Sequence, residues 1–206
     1  MTDQLVRSAF HQSILQWAHC CEDTFVVDEL GLKNGSFRAD IAVLNGKIVG
    51  YEIKTENDTL SRLHSQAQAY SQIFNEAFLI VAEKHVQSAM EIVPEWWGVY
   101  LIKTENDDSI RFECIRESQK NLNLDTFSIA QLLWKEEAMQ IANEQLHYNF
   151  KVKTTKRELY DVISSSYEPD SLGEIVINYL KKRETWRKDR KAPLQNDDCC
   201  QPNSIR

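Results

Sequence analysis

The chain has 206 residues, a formal net charge of −7, 42% hydrophobic and 27% charged residues. That length holds one full domain with a substantial appendage, and that balance belongs to a soluble globular protein rather than a disordered one. No apolar stretch approaches the roughly 20 residues that span a bilayer, and the opening MTDQLVRSAFHQS lacks the apolar centre of a secretory signal; a cytoplasmic location without a membrane partner is expected.

In chain order, the apolar spacing of Leu5, Ala9, Ile14, Leu15 and Ala18 predicts a first helix over about Gln4 to Cys21, and VVDELGL reads as its exit. The stretch RADIAVLNGKIVGYEIK, Arg38 to Lys54, then reads as a β-hairpin. Asn45-Gly46 supplies the turn between the apolar runs Ile41 to Leu44 and Ile48 to Tyr51. DTLSRLHSQAQAY, Asp58 to Tyr70, predicts a helix capped by Asp58 or Thr59. The unbroken run Ala77 to Ala82 has the look of a central strand. A helix over Val86 to Ile92 follows, then strands over Gly98 to Lys103 and Ile110 to Ile115 joined by the polar turn Glu105 to Ser109. The order αββαβαββ predicts an α/β (α+β) fold, a mixed sheet flanked by helices, over residues 1–120.

From about Asp125 the pattern turns helical: Ser128 to Leu146, Thr155 to Ser165 capped by Thr155 or Thr154, and Ser171 to Arg187 capped by Asp170 or Ser171. Residues 125–191 read as a small helical subdomain, and 192–206 as a disordered tail. Residues 151–191 carry 11 Lys+Arg against 7 Asp+Glu, whereas residues 1–150 carry 12 against 22. An acidic core with a basic end follows. Basic side chains around Trp186, including Lys181, Lys182, Arg183 and Arg187, suit a phosphate backbone, although Lys and Arg also settle at helix ends to offset the macrodipole. The five cysteines, Cys20, Cys21, Cys114, Cys199 and Cys200, show no zinc-module spacing. Metal chemistry is therefore expected from carboxylates.

Those carboxylates gather on the hairpin. Side chains two apart on a strand share a face, so Glu52 and Lys54 lie side by side while Ile53 faces the other way. The turn brings Asp40 beside Glu52. Mg²⁺ or Mn²⁺ takes hard oxygen ligands with waters and substrate phosphate, a set that Asp40, Glu52 and the Ile53 carbonyl can supply. Such an ion acidifies a bound water and stabilises charge on a scissile phosphate, with Lys54 orienting the nucleophile or neutralising charge. The same letters also suit a solvated strand with Glu and Lys on its wet face.

On these residues the chain resembles the PD-(D/E)xK nuclease superfamily, whose signature is an acid on one strand followed by (D/E)xK on the next. Asp40 stands for the first acid and Glu52-Ile53-Lys54 for the second motif; Ala39 occupies the usual proline position. The Gln66-x-x-x-Tyr70 pattern on one face of the following helix is similar to the extra motif of RecB-like and related exonuclease branches. That resemblance implies that Gln66 helps position the metal or the phosphate, with Tyr70 packing or hydrogen-bonding near it on the nucleic-acid side of the site. Arg62, one turn earlier, is a candidate phosphate ligand. Glu29, with Glu22 as a weaker substitute, is the candidate for an added acid from the first helix or its exit. The whole run also looks like an uncharacterised bacterial branch with a helical extension. The resemblance implies a restriction-endonuclease-like core, a Mg²⁺- or Mn²⁺-dependent hydrolase and DNA as partner, in repair or phage defence, with homodimerisation open. The alternatives are a catalytically inactive nuclease-fold protein that binds DNA or a partner, and an interaction module whose hairpin acids are plain surface.

Overall fold

The computed structural model describes residues 2–104 and 109–183. Helix α1 (Asp3–Gln12) starts at Thr2, whose hydroxyl accepts from the Leu5 N–H, and stops at Ser13. Ser13 turns its hydroxyl back onto the Ala9 carbonyl at 2.7 Å, a local bond that competes with helix propagation. The chain restarts as α2 (Gln16–Cys20). The single helix expected over Gln4 to Cys21 is thus two.

Among the described residues the sheet has six strands in sequential order: β1 (Phe25–Leu32), β2 (Phe37–Leu44), β3 (Ile48–Lys54), β4 (Glu76–Ala82), β5 (Gly98–Thr104) and β6 (Ile110–Arg116). Strands β1 to β3 form an antiparallel meander. Strands β3, β4 and β5 run parallel, which requires the crossover helices α3 (Leu63–Ser71) and α4 (Val86–Ile92). Strand β6 returns antiparallel to β5. The order matches the one expected from sequence except at β1, a strand where the sequence pattern predicts a helix exit. Residues 105–108 of the expected β5–β6 turn lie outside the described residues.

The reason β1 escaped the sequence is visible in its register. Phe25 through Asp28 pair with Leu44 through Ile41, and Leu30 through Leu32 pair with Ala39 through Phe37, but Glu29 and Asp40, which face each other across the gap, make no pair. Glu29 has φ 58°, the left-handed region that a side chain other than Gly, Asn or Asp seldom takes. Across this gap the alternation shifts phase. Val27 and Leu30, three apart, both enter one core, as do Ala39 and Ala42. An apolar spacing of two, then three, then two does not look like a strand.

Two cores sandwich the sheet. On one face, Val6, Phe10, Leu15 and Ala18 of the α1–α2 region pack on Ile41, Val43, Tyr51, Ile53 and Ile80. Phe10 sets its ring edge-on to Tyr51, Tyr100 and Phe112, with centroids 4.9 to 5.6 Å apart. On the other face lie α3, α4 and the C-terminal helices, with Ala42, Leu44, Leu79, Val81 and Val99 buried beneath them. Gly50 is required there, because a Cβ would stand 2.8 Å from the Phe74 ring.

The C-terminal helices are α5 (Thr126–Ala130), α6 (Lys135–Gln140) running into a π-helical turn at Ile141–Gln145, α7 (Lys156–Ser166) and α8 (Pro169–Lys182). The helix expected over Ser128 to Leu146 is broken between α5 and α6. Thr155 caps α7 through a capping box with Glu158, as its sequence predicts. Helix α8 opens with Pro169 in its first turn, so neither Asp170 nor Ser171 is its cap. Ile129, Leu159, Ile163, Leu172, Val176 and Leu180 belong to the same buried cluster as Leu79 and Trp97 of the sheet layer. The class is α+β. Among the described residues no helix is long and apolar enough to cross a membrane.

Candidate active site

The site lies where β2 peels away from β3. Their ladder ends at Ile41–Tyr51, so Asp40 drops out of both neighbouring ladders. Its carboxylate takes over the role of a strand: Asp40 Oδ2 accepts the Ile53 N–H at 2.7 Å. Glu52 and Lys54 stand on the same face of β3 just beyond the split, and both are buried, 1% and 6% exposed. Lys54 Nζ donates to Glu52 Oε1, a buried ion pair within the expected motif.

Helix α3 delivers the other side chains, because it packs on this face and one of its sides carries Leu63, Ala67 and Tyr70 into the core. The Tyr70 hydroxyl donates to Glu52 Oε2 at 2.7 Å, and it also lies 3.3 Å from the Tyr51 carbonyl. Burial pushes the Tyr70 phenol well above its ordinary value, with the Glu52 and Asp40 charges adding to the effect, so it stays a donor. Gln66 Nε2 donates to Glu52 Oε1. A carboxylate can only accept, which fixes the orientation of the amide. Among the described residues, Gln66 Oε1 is then left buried with no hydrogen-bond partner.

Burial, followed by the charge of Glu52, raises the Asp40 carboxyl from 3.8 to about 7, against the pull of the Ile53 N–H, Arg7 and Lys54. A carboxyl held above its ordinary range beside a second acid, and a buried amide oxygen lacking a donor, are features that a bound cation would satisfy. The oxygens of Asp40, Glu52 and Gln66 are the hard donors that Mg²⁺ or Mn²⁺ takes. The donor set fits the ion that the sequence implied, although the described residues hold no cluster of three or more His, Cys, Asp or Glu arranged for a metal.

Glu29 comes close without joining. It sits across from Asp40 in register, but its carboxylate is exposed and paired with Arg7 Nη2 at 2.6 Å and Arg38 Nη1 at 3.2 Å. It is a strand residue, not the helix exit expected. Arg62 is an exposed residue at the start of α3. Asp58 caps no helix: it accepts from the Thr55 N–H and hydroxyl and closes the turn after β3. His85 packs against that turn, its Nε2 3.0 Å from the Asp58 carbonyl.

The basic end is arranged differently. Lys181 Nζ donates to the Asp23 carbonyl, and Lys182 lies over the Tyr179 ring, 5.4 Å from its centroid. Arg183 is buried, paired with Glu137 at 2.6 and 2.8 Å, bonded to the Leu132 carbonyl and stacked over Trp134. It serves the fold rather than an open surface. Arg187, Trp186 and the tail 192–206 lie outside the described residues. The residue that sequence reasoning missed is Arg7, which reaches Asp40 across 33 positions of sequence; no short motif contains that pair.

A family model described as bacteriophage P4 protein cII matches residues 8–200, nearly the whole chain. The chain belongs to the phage P4 cII family. Protein cII of Enterobacteria phage P4 is 26% identical over 174 residues, which cover 83% of this chain and 65% of that protein. The chain thus spans less than two thirds of the length of its cII relative. A solved structure of a protein of unknown function from Silicibacter pomeroyi aligns with 68% of this cII-family chain and 94% of its own, at 16% identity and a TM-score of 0.39. A likeness that loose carries no argument.

Proposed function

We propose that this cII-family protein is a Mg²⁺- or Mn²⁺-dependent nuclease of the PD-(D/E)xK kind that hydrolyses phosphodiester bonds in DNA. The observation that carries the reading is the convergence on Glu52: Lys54 and Gln66 on one carboxylate oxygen, Tyr70 on the other, with Asp40 on the adjoining strand. Four side chains from β3 and α3 meet, and Asp40 of β2 bonds the Ile53 N–H between Glu52 and Lys54, an arrangement that supports the motif reading. Asp40, Glu52 and Gln66 Oε1 would hold the ion, which when bound acidifies water and offsets phosphate charge. Tyr70 and Gln66 orient Glu52 from the two sides. The Asp40–Ile53 bond fixes the first acid, and Lys54, beside Glu52, carries the positive charge that can move to the attacking water or the phosphate as charge develops.

The test is cleavage of linear, nicked, branched and single-stranded DNA, with RNA alongside, in Mg²⁺ or Mn²⁺. Cleavage should need the ion and fall by at least about 100-fold in Asp40→Asn, Glu52→Gln and Lys54→Met. Activity that survives all three removes the mechanism.

The second reading, a catalytically silent nuclease fold that binds DNA or a protein partner, is favoured by one observation: Lys54 already neutralises Glu52, so the pair is satisfied without an ion. It predicts salt-sensitive binding without turnover. A homodimer and the contribution of Lys181, Lys182 and Arg187 to DNA contact remain part of either reading. Charge reversal at Lys182 and Arg187 should weaken DNA binding and flatten its salt dependence.

A further inference from the structure

Helix α1 carries a side chain into the Glu29–Asp40 gap. Arg7 Nη1 donates to the Asp40 carbonyl, which lost its strand partner at the missing pair. Arg7 Nη2 lies 2.6 Å from Glu29 Oε1, 3.4 Å from Asp40 Oδ1 and 3.2 Å from Asp3 Oδ2. The Arg7 side chain is only 14% exposed. One planar fork therefore holds the main chain of Asp40, touches its carboxylate and draws aside the nearest competing acid. A lysine ammonium is a single point and cannot span these acceptors together.

Resting on the nuclease reading above, we infer that Arg7 is the positioning residue of the site: it fixes the Asp40 backbone and carboxylate against Ile53 while withholding Glu29 from the ion. The geometry requires such a clamp, since Asp40 has left both ladders and Glu29 stands directly opposite with a left-handed backbone. Without the guanidinium the two carboxylates face each other, and Asp40 can swing from the Ile53 N–H. Arg7 touches no reacting atom in this arrangement; its effect passes through Asp40.

The experiment compares wild type, Arg7→Ala and Arg7→Lys by backbone amide exchange of the metal-free protein and by Mn²⁺-dependent DNA cleavage. The Ile53 amide should exchange about tenfold faster in Arg7→Ala, with the amides of β4 unchanged. The kcat should fall about 100-fold, as a misplacement near 1 Å costs, with KM for DNA within about threefold. Arg7→Lys should recover less than half of either loss, while free guanidinium should restore Ile53 protection and cleavage in Arg7→Ala and neither in Asp40→Ala. Unchanged Ile53 protection in both Arg7 variants overturns the inference, as does a rise in cleavage, which would make Glu29 a ligand that Arg7 obstructs. If wild type cleaves no DNA yet Ile53 protection depends on Arg7, the positioning role stands and the nuclease reading falls.

Discussion

At the scale of single residues, Asp40 makes the sharpest forecast. Its carboxyl titrates near 3.8 when the chain is unfolded and at about 7 in the metal-free fold. The folded state thus holds a proton that the unfolded state has lost between those values, so the stability that this proton confers is complete below pH 4 and disappears as pH rises through 7. Denaturant midpoints measured without divalent ions should fall between pH 5 and 8, and Asp40→Asn should remove most of that fall. Added Mn²⁺ should raise the midpoint of wild type at pH 8 and not that of Asp40→Asn. Tyr70→Phe takes a hydrogen bond from a buried carboxylate and should cost about 1–3 kcal/mol by denaturation while lowering cleavage. The acids, Lys54 and the Gln66/Tyr70 pair were legible in the sequence because strand and helix periodicities place them by short-range rules. Arg7 was not, since its contacts depend on how α1 lies across the sheet.

At the scale of elements, the hairpin β2–β3 and the central strand β4 were legible because Asn45-Gly46 and the run at Ala77 to Ala82 are local signals. Strand β1 was hidden by the phase shift at Glu29, and the first helix looked continuous because Leu15 stays buried on the apolar side even though Ser13 ends α1. Similarly, the apolar pattern over residues 128–146 persists across the break between α5 and α6, since both pieces feed one core. The contact of α3 with the sheet depends on Gly50. Gly50→Ala forces the Phe74 ring to move, and a loss of about 1–3 kcal/mol is expected, read as a lower urea midpoint. Because Phe74 follows directly from α3, the same change should loosen Gln66 and Tyr70 over Glu52 and lower activity more than a surface Ala substitution does.

At the scale of the whole molecule, the helical end is tied to the sheet by its core and by polar joints. Asn121 Nδ2 donates to the Ser71 and Phe74 carbonyls at 2.8 Å each, and Lys181 reaches the Asp23 carbonyl. A chain cut after residue 124 strips α5–α8 from the buried faces of α3 and β4, so it should fail to show a cooperative thermal transition by circular dichroism. Arg183→Ala leaves the half-buried Glu137 with the Trp134 N–H alone and strips the Leu132 carbonyl of its donor, and should destabilise the full chain by about 1–3 kcal/mol. The change of composition near residue 125 marks where helices take over. It carries no information on whether those helices share a core, because burial is decided by packing that sequence periodicity does not specify.

The unpaired rung at Glu29 and Asp40 can also be read as an insertion of one residue in each strand. With both removed, Asp28 would run straight into Leu30 and Ala39 into Ile41, and inward and outward positions would alternate without interruption along the ribbon. Asp28 already faces His11 of α1, while Leu30 already faces the opposite core. The sheet would therefore be whole with 204 residues, two fewer than the 206 present. The two extra residues are both acids, and both are held by Arg7. Deleting the pair would restore the alternation of the β1–β2 ribbon while taking from the Ile53 N–H and from Arg7 the acceptors that hold them.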